Sequence, residues 1–153
     1  MKTQAAINEF IQSRLARNLS PISIDWYCQK LQPLASHHTE LPEEPRVLES
    51  DLANIPGTPE TKHAYFRARR ALYNFICERY EVPNPMAKVK PPRRPKKVMA
   101  TLEPNEMMWL LSSASTLRDK TILSLFEDTG MRTSELASLR KQDIKTNTVL
   151  VYG

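Results

Sequence analysis

Near the end of the chain, residues 126–139 read FEDTGMRTSELASL and set a single arginine, Arg132, two positions after Gly130 and three before Glu135. A guanidinium presents its N–H donors in a rigid planar fork and keeps its charge at ordinary pH, so a well-supported one can grip an anion. The support is written in the spacing. Ile122, Leu123, Leu125 and Phe126 recur at helical intervals ahead of Gly130, and a glycine just past such a run ends a helix because it has no Cβ to clash at positive φ. The pattern predicts a helix over residues 117–129, a sharp stop, Arg132 on a short rigid turn, and a new helix over 134–139 that Glu135 and Leu136 open. Taken alone, an arginine in a helical turn reads first as an ordinary surface residue.

A larger concentration of charge lies upstream. Residues 61–97 hold eleven Lys and Arg against only Glu78 and Glu81. Thr58 and Pro59 give a cap followed by proline, predicting a long helix over 59–80. At 100° per residue its packing face takes Ala64, Ala68, Leu72, Phe75, Ile76 and Arg79. The other face takes Lys62, Phe66, Arg67 and Arg70, with Arg69 and Tyr73 nearby, and so interleaves cations with aromatic rings. Beyond it, repeated prolines in VPNPMAKVKPPRRPKKV (residues 82–98) exclude a helix. Lys88, Lys90, Arg93, Arg94, Lys96 and Lys97 fall within ten residues of this extended, semi-rigid segment. A polyphosphate backbone that releases counterions on contact is its natural ligand. A merely solvated helix face and a merely soluble linker are the plainer readings of the same charges.

The remaining elements position these two regions. Apolar residues at Ala6, Ile7, Phe10, Ile11 and Leu15 predict a first helix over 3–16, and Ser20 with Pro21 starts a second that runs to about residue 35, bent or frayed by Pro33. Residues 37–51 read as a polar, acidic loop entering a short helix over 50–54. After the basic segment, Pro104 opens a helix to about residue 112, with Met107, Met108, Leu110 and Leu111 as its apolar side and Trp109 packed or anchoring a surface. Residues 147–152 form the one convincing strand, which needs a sheet the sequence does not contain.

At 153 residues, with net charge +5 and a pI near 9.3, the chain has room for one or two small domains and favours an anionic partner. It contains no apolar run of the roughly 18 residues that span a membrane and no signal-peptide core, which points to a soluble, cytoplasmic protein. Cys28 and Cys77 lack CxxC spacing and read as reduced thiols, and His37, His38 and His63 form no metal-ligand pattern.

The order of elements then becomes informative: a four-helix module, a basic proline linker after Asn84 and Pro85, and a helical segment carrying Thr129-Gly130-Met131-Arg132 with Glu135-Leu136, followed by Leu139, Asp143 and Ile144 leading into a strand. This arrangement resembles the tyrosine recombinases, the phage integrases and Xer-type enzymes that cut and rejoin DNA through a phosphotyrosine. The resemblance implies a mainly α chain: a four-helix SAM-like core-binding domain at 1–86, a basic linker at 87–98, and the helical start of a catalytic domain with one strand at 99–153. It matches Arg132 to the family's first catalytic arginine, and Glu135 to a supporting residue that orients the turn. Lys62, Arg67, Arg69, Arg70 and the six linker cations match the face turned to duplex DNA, with Ser23, Tyr27 and Lys30 as weaker candidates.

The same resemblance implies no cofactor and no metal. It also implies that the family's hairpin lysine, second arginine, late histidine or tryptophan, and nucleophilic tyrosine would lie beyond Gly153. Tyr152 is too close to Arg132 to replace that tyrosine. The expectation is therefore the N-terminal part of a recombinase, as a truncated product or a natural fragment, monomeric and unable to cleave DNA by itself, from a parent that acts as a tetramer on DNA. Two other readings remain: a DNA-binding regulator or naturally truncated integrase without chemistry, and a helical interaction domain whose basic face meets an acidic protein.

Overall fold

Proline or a capping side chain starts most of the helices. A computed structural model of the chain describes residues 1–95 and 98–151, in which the helices are α1 (Thr3–Ala16), α2 (Pro21–His37), α3 (Pro45–Asn54), α4 (Pro59–Tyr80), α5 (Pro104–Ser113), α6 (Leu117–Thr129) and α7 (Thr133–Ser138), with 3-10 turns at Pro85–Ala87 and Lys141–Asp143. Pro21, Pro45, Pro59 and Pro104 each occupy a first turn, where the missing N–H leaves no helical bond unmade. The hydroxyls of Ser20, Thr58 and Thr116 accept from the N–H groups of Ser23, Thr61 and Asp119 at 3.3, 3.3 and 3.1 Å. The chain is mainly α, and it divides into two compact units, Met1–Lys97 and Val98–Gly153.

The first unit is built on α1, α2 and α4, which pack against one another, with α3 laid against α4. Its core takes Ala6, Ile7 and Phe10 from α1, Leu31 and Leu34 from α2, Leu48 and Leu52 from α3, and Phe66, Ala68, Leu72, Tyr73, Ile76 and Cys77 from α4. Phe10 is the hub. Its ring meets Tyr27 edge-on at 5.0 Å and Phe75 at 5.7 Å, and the Arg14 guanidinium covers it at 4.5 Å. Met86 and Val89 are buried in the same cluster, so the start of the basic segment is held against this unit.

Three expectations are corrected here. Helix α3 begins at Pro45, five residues before the predicted 50–54, because Leu48 and Leu52 stand one turn apart and both bury. Helix α2 passes through Pro33 to His37; Leu31 and Leu34 are fully buried on either side of the proline, and the His38 N–H donates to the Leu34 carbonyl at 2.9 Å. The faces of α4 are also rotated from the expected ones. Phe66, Arg69 and Tyr73 turn inward, and Arg79, assigned to the packing side, is half exposed and pairs with Glu9 at 2.9 Å. Tyr73 can bury because its hydroxyl donates to the Pro42 carbonyl at 2.7 Å, and burial pushes its pKa up.

The second unit is different in kind. Helices α5, α6 and α7 bury none of their residues, and among the described residues of this unit only Met131 and Asp143 are buried. Trp109 is 71% exposed, and Val98, Met99, Met108 and Leu117 are likewise open. In place of a strand over 147–152, Ile144 and Val149 make a single antiparallel bridge, closed by the Lys145 N–H to Thr148 O at 2.8 Å. Two short segments without a third strand have too little to pair with for a longer ladder. Tyr152 lies outside the described residues.

Local opening costs little where few apolar contacts must break. Amide hydrogen exchange is therefore expected to separate the units, with α5–α7 exchanging roughly a hundredfold faster than the interiors of α1, α2 and α4. Equal protection in both, read by mass spectrometry of peptic fragments, would contradict this packing.

Candidate nucleic-acid interface and the Arg132 turn

Helix α6 ends as its sequence demands. Gly130 sits at φ 62°, ψ 18°, and its N–H donates to the Phe126 carbonyl at 3.0 Å. Met131 follows as the buried anchor of the turn, its N–H donating to the Thr129 hydroxyl at 3.3 Å. Arg132 then takes the position just ahead of α7. Its own N–H donates to Glu135 Oε2 at 2.6 Å, and one guanidinium nitrogen donates to Glu135 Oε1 at 2.8 Å. The carboxylate thus holds both the backbone and the side chain of the same arginine, while the Arg132 side chain remains 82% exposed against 15% for Glu135.

These two bonds, the backbone one foremost, hold the Glu135 pKa below the usual carboxylate value. The carboxylate is consequently ionised at neutral pH, and the tether is lost only as pH falls through that lowered value. What results is an exposed guanidinium on a fixed turn, with donors left over for an anion from solvent.

The cations expected to face DNA separate into four groups. Arg67 and Arg70 are exposed on α4, and Arg67 stacks over Trp26 of α2 at 5.6 Å. Lys88, Lys90, Arg93 and Arg94 are exposed along the proline segment, whereas Lys96 and Lys97 lie outside the described residues. Lys62 is half-buried, and its Nζ donates to the Ala53 carbonyl at 2.6 Å, closing the last turn of α3. Arg69 is a correction: its side chain is 1% exposed and stands 3.5 Å from Asp51, which also receives His38 Nε2 at 2.8 Å. A buried guanidinium cannot reach a phosphate on the surface, and Arg69 instead joins α4 to α3.

On α2, Ser23 bonds to the Ser20 hydroxyl at 3.0 Å, Tyr27 packs against Phe10, and Lys30 lies 4.8 Å over the Tyr65 ring. Two residues were missed by the sequence reading: Trp26, under Arg67, and His63, whose pKa is lowered by burial and then by the nearby charges of Arg94 and Arg67. The signal was available in the spacing, since His63 and Arg67 are one helical turn apart. Among the described residues, no helix is long and apolar enough to cross a membrane.

No family model matches the chain. Among curated proteins it is 36% identical over 94 residues to the tyrosine recombinase XerC of Bacillus pumilus (strain SAFR-032), covering 56% of this chain and 31% of that one. It is 30% identical over 110 residues to the tyrosine recombinase XerD of Lacticaseibacillus casei, covering 67% of this chain and 38% of the relative. Among solved structures, the crystal structure of XerA recombinase aligns with a TM-score of 0.47 at 20% identity, over 94% of this chain and 52% of that one. The matched part amounts to about a third of the length of the curated relatives. These sequence similarities, each to only part of the relative, support a place for the chain in the tyrosine recombinase family.

Proposed function

We propose that the chain is the DNA-binding portion of a site-specific recombinase, and that Arg132 grips the phosphate at which the complete enzyme breaks and rejoins a strand. The observation that carries this reading is the Arg132 turn, in which Glu135 fixes the arginine and leaves its guanidinium exposed. Attack on a phosphodiester concentrates negative charge on the non-bridging oxygens, and a pre-positioned guanidinium stabilises that charge without reorganising. In this reading the first unit is the core-binding domain, with Arg67, Arg70, Lys88, Lys90, Arg93 and Arg94 laid against phosphates, and the second unit is the start of the catalytic domain. Phosphate contacts set register and orientation, and sequence preference is left to base-edge contacts.

Duplex binding is expected to weaken steeply with salt. These six exposed cations together with Arg132 correspond to a slope of about −6 in log affinity against log salt, measured by fluorescence anisotropy on a labelled duplex. Binding that ignores salt, or no binding to duplex DNA at all, would remove the proposal. An acidic protein that competes where duplex DNA does not would favour the interaction-domain reading instead.

A further inference from the structure

The first turns of α4 and the proline strap enclose an open cleft of about 810 Å³, with Thr58, Glu60 and His63 on the helix side and Arg94 among Pro91, Pro92 and Pro95 on the other. Arg67 stands one turn beyond His63, and the imidazole lies 6.1 Å from the Phe66 ring. The cleft therefore holds an imidazole on its wall, open to solvent and within the field of two guanidinium groups, Arg94 in the lining and Arg67 one turn along the helix. We infer that a DNA phosphate occupies this cleft and that its arrival draws a proton onto His63, so that duplex affinity rises as pH falls. This rests on the DNA-binding reading above and adds to it a proton-linked regulation of the same surface.

The argument is electrostatic. In the free chain, burial and the charges of Arg94 and Arg67 hold His63 below its ordinary pKa, so the ring is mostly neutral at pH 7. Glu60 is the acidic group lining the same cleft, and the free-state balance still disfavours the imidazolium. A phosphate in the cleft brings one negative charge next to the imidazole, which weakens the positive field of Arg94 and Arg67 there. It also supplies an acceptor for an imidazolium N–H. The bound state then holds more protons than the free state, and by linkage a ligand that favours protonation binds more tightly as pH falls. Among the described residues His63 is the imidazole lining this cleft, so the slope it adds cannot exceed one proton. Proline on the strap favours this use, because a strap stiffened by Pro91, Pro92 and Pro95 keeps Arg94 near the cleft before DNA arrives.

The test is the affinity of the whole chain for a labelled duplex at fixed ionic strength and varied pH, for wild type and His63→Gln. Wild-type affinity is expected to rise roughly fivefold from about pH 8 to pH 6, and that of His63→Gln to change by less than about twofold. His37 and His38 are present in both proteins, so their contributions cancel. A second measurement needs no variant: the His63 ring is titrated by NMR with and without the duplex, and its pKa is expected to rise on binding. Salt-sensitive binding with the same pH dependence in both proteins, or a His63 pKa that DNA leaves unchanged or lowers, overturns the inference and leaves the DNA-binding reading standing. Absence of salt-sensitive binding overturns both.

Discussion

Replacing Asp51 by alanine is expected to lower the unfolding free energy of the first unit by about 3 kcal/mol or more, the range in which a buried ion pair loses one partner. Arg69 is the largest fully buried side chain of the unit, and its Nε and NH1 have no hydrogen-bond partner. Burial lowers its pKa, and the charge of Asp51 is the first of the effects that raise it again. At 3.5 Å the pair is a charge contact without hydrogen-bond geometry, so its worth lies in the field Asp51 supplies. The carboxylate also receives His38, and its loss therefore frees the end of α2 as well as the α3–α4 contact. Urea unfolding followed by helical circular dichroism reads the change. The double substitution Asp51→Leu with Arg69→Met is expected to recover most of it, because two apolar side chains of similar volume carry no desolvation cost. A loss below about 1 kcal/mol in Asp51→Ala would mean that Arg69 is compensated by another group.

The same cluster explains which parts of the fold were legible. The starts of α2 and α4 and the end of α6 rest on neighbours in sequence: Ser20 with Pro21, Thr58 with Pro59, and Gly130 after an apolar run. Such signals are local, and a sequence displays them directly. The orientation of α4 is not local. A hydrophobic ranking turns Arg69 and Tyr73 outward, and only Asp51 on another helix and the Pro42 carbonyl on a loop make their burial affordable. Helix α3 was obscured for a related reason: Glu43, Glu44 and Arg46 make its start look like solvated loop, and Leu48 and Leu52 reveal a helix only once α4 is there to receive them.

At the candidate site the balance is similar. The Arg132 turn was readable because Gly130 and Glu135 act within a few residues of the arginine. The sorting of the upstream cations was not, because whether Lys62 caps α3 or Arg67 stacks on Trp26 depends on contacts between helices distant in sequence.

Arg132→Ala is expected to leave the chain folded and to lower strand cleavage by a full-length recombinase carrying it by about a hundredfold to a thousandfold, as removal of one transition-state donor does elsewhere. The fold should tolerate the change. The Arg132 side chain is 82% exposed, its bond to Glu135 lies within one turn, and surface substitutions of this kind alter stability by no more than about 0.5 kcal/mol. Duplex affinity should fall only by one phosphate contact, reducing the salt slope by about 1. The large effect is confined to the chemical step, where charge develops that the ground state lacks.

Arg132→Lys separates charge from geometry, since an ammonium keeps the charge but loses the planar fork, and an intermediate rate is expected. Glu135→Gln tests the tether. It removes the charge that holds the guanidinium while keeping an oxygen able to accept from the Arg132 N–H, so cleavage should fall less than in Arg132→Ala, with affinity nearly unchanged. If Arg132→Ala cleaves at the wild-type rate, the arginine has no place in the reaction, however well its turn is formed. If cleavage falls only in proportion to affinity, Arg132 is a phosphate contact like those of α4 and the strap, with no part in the chemical step.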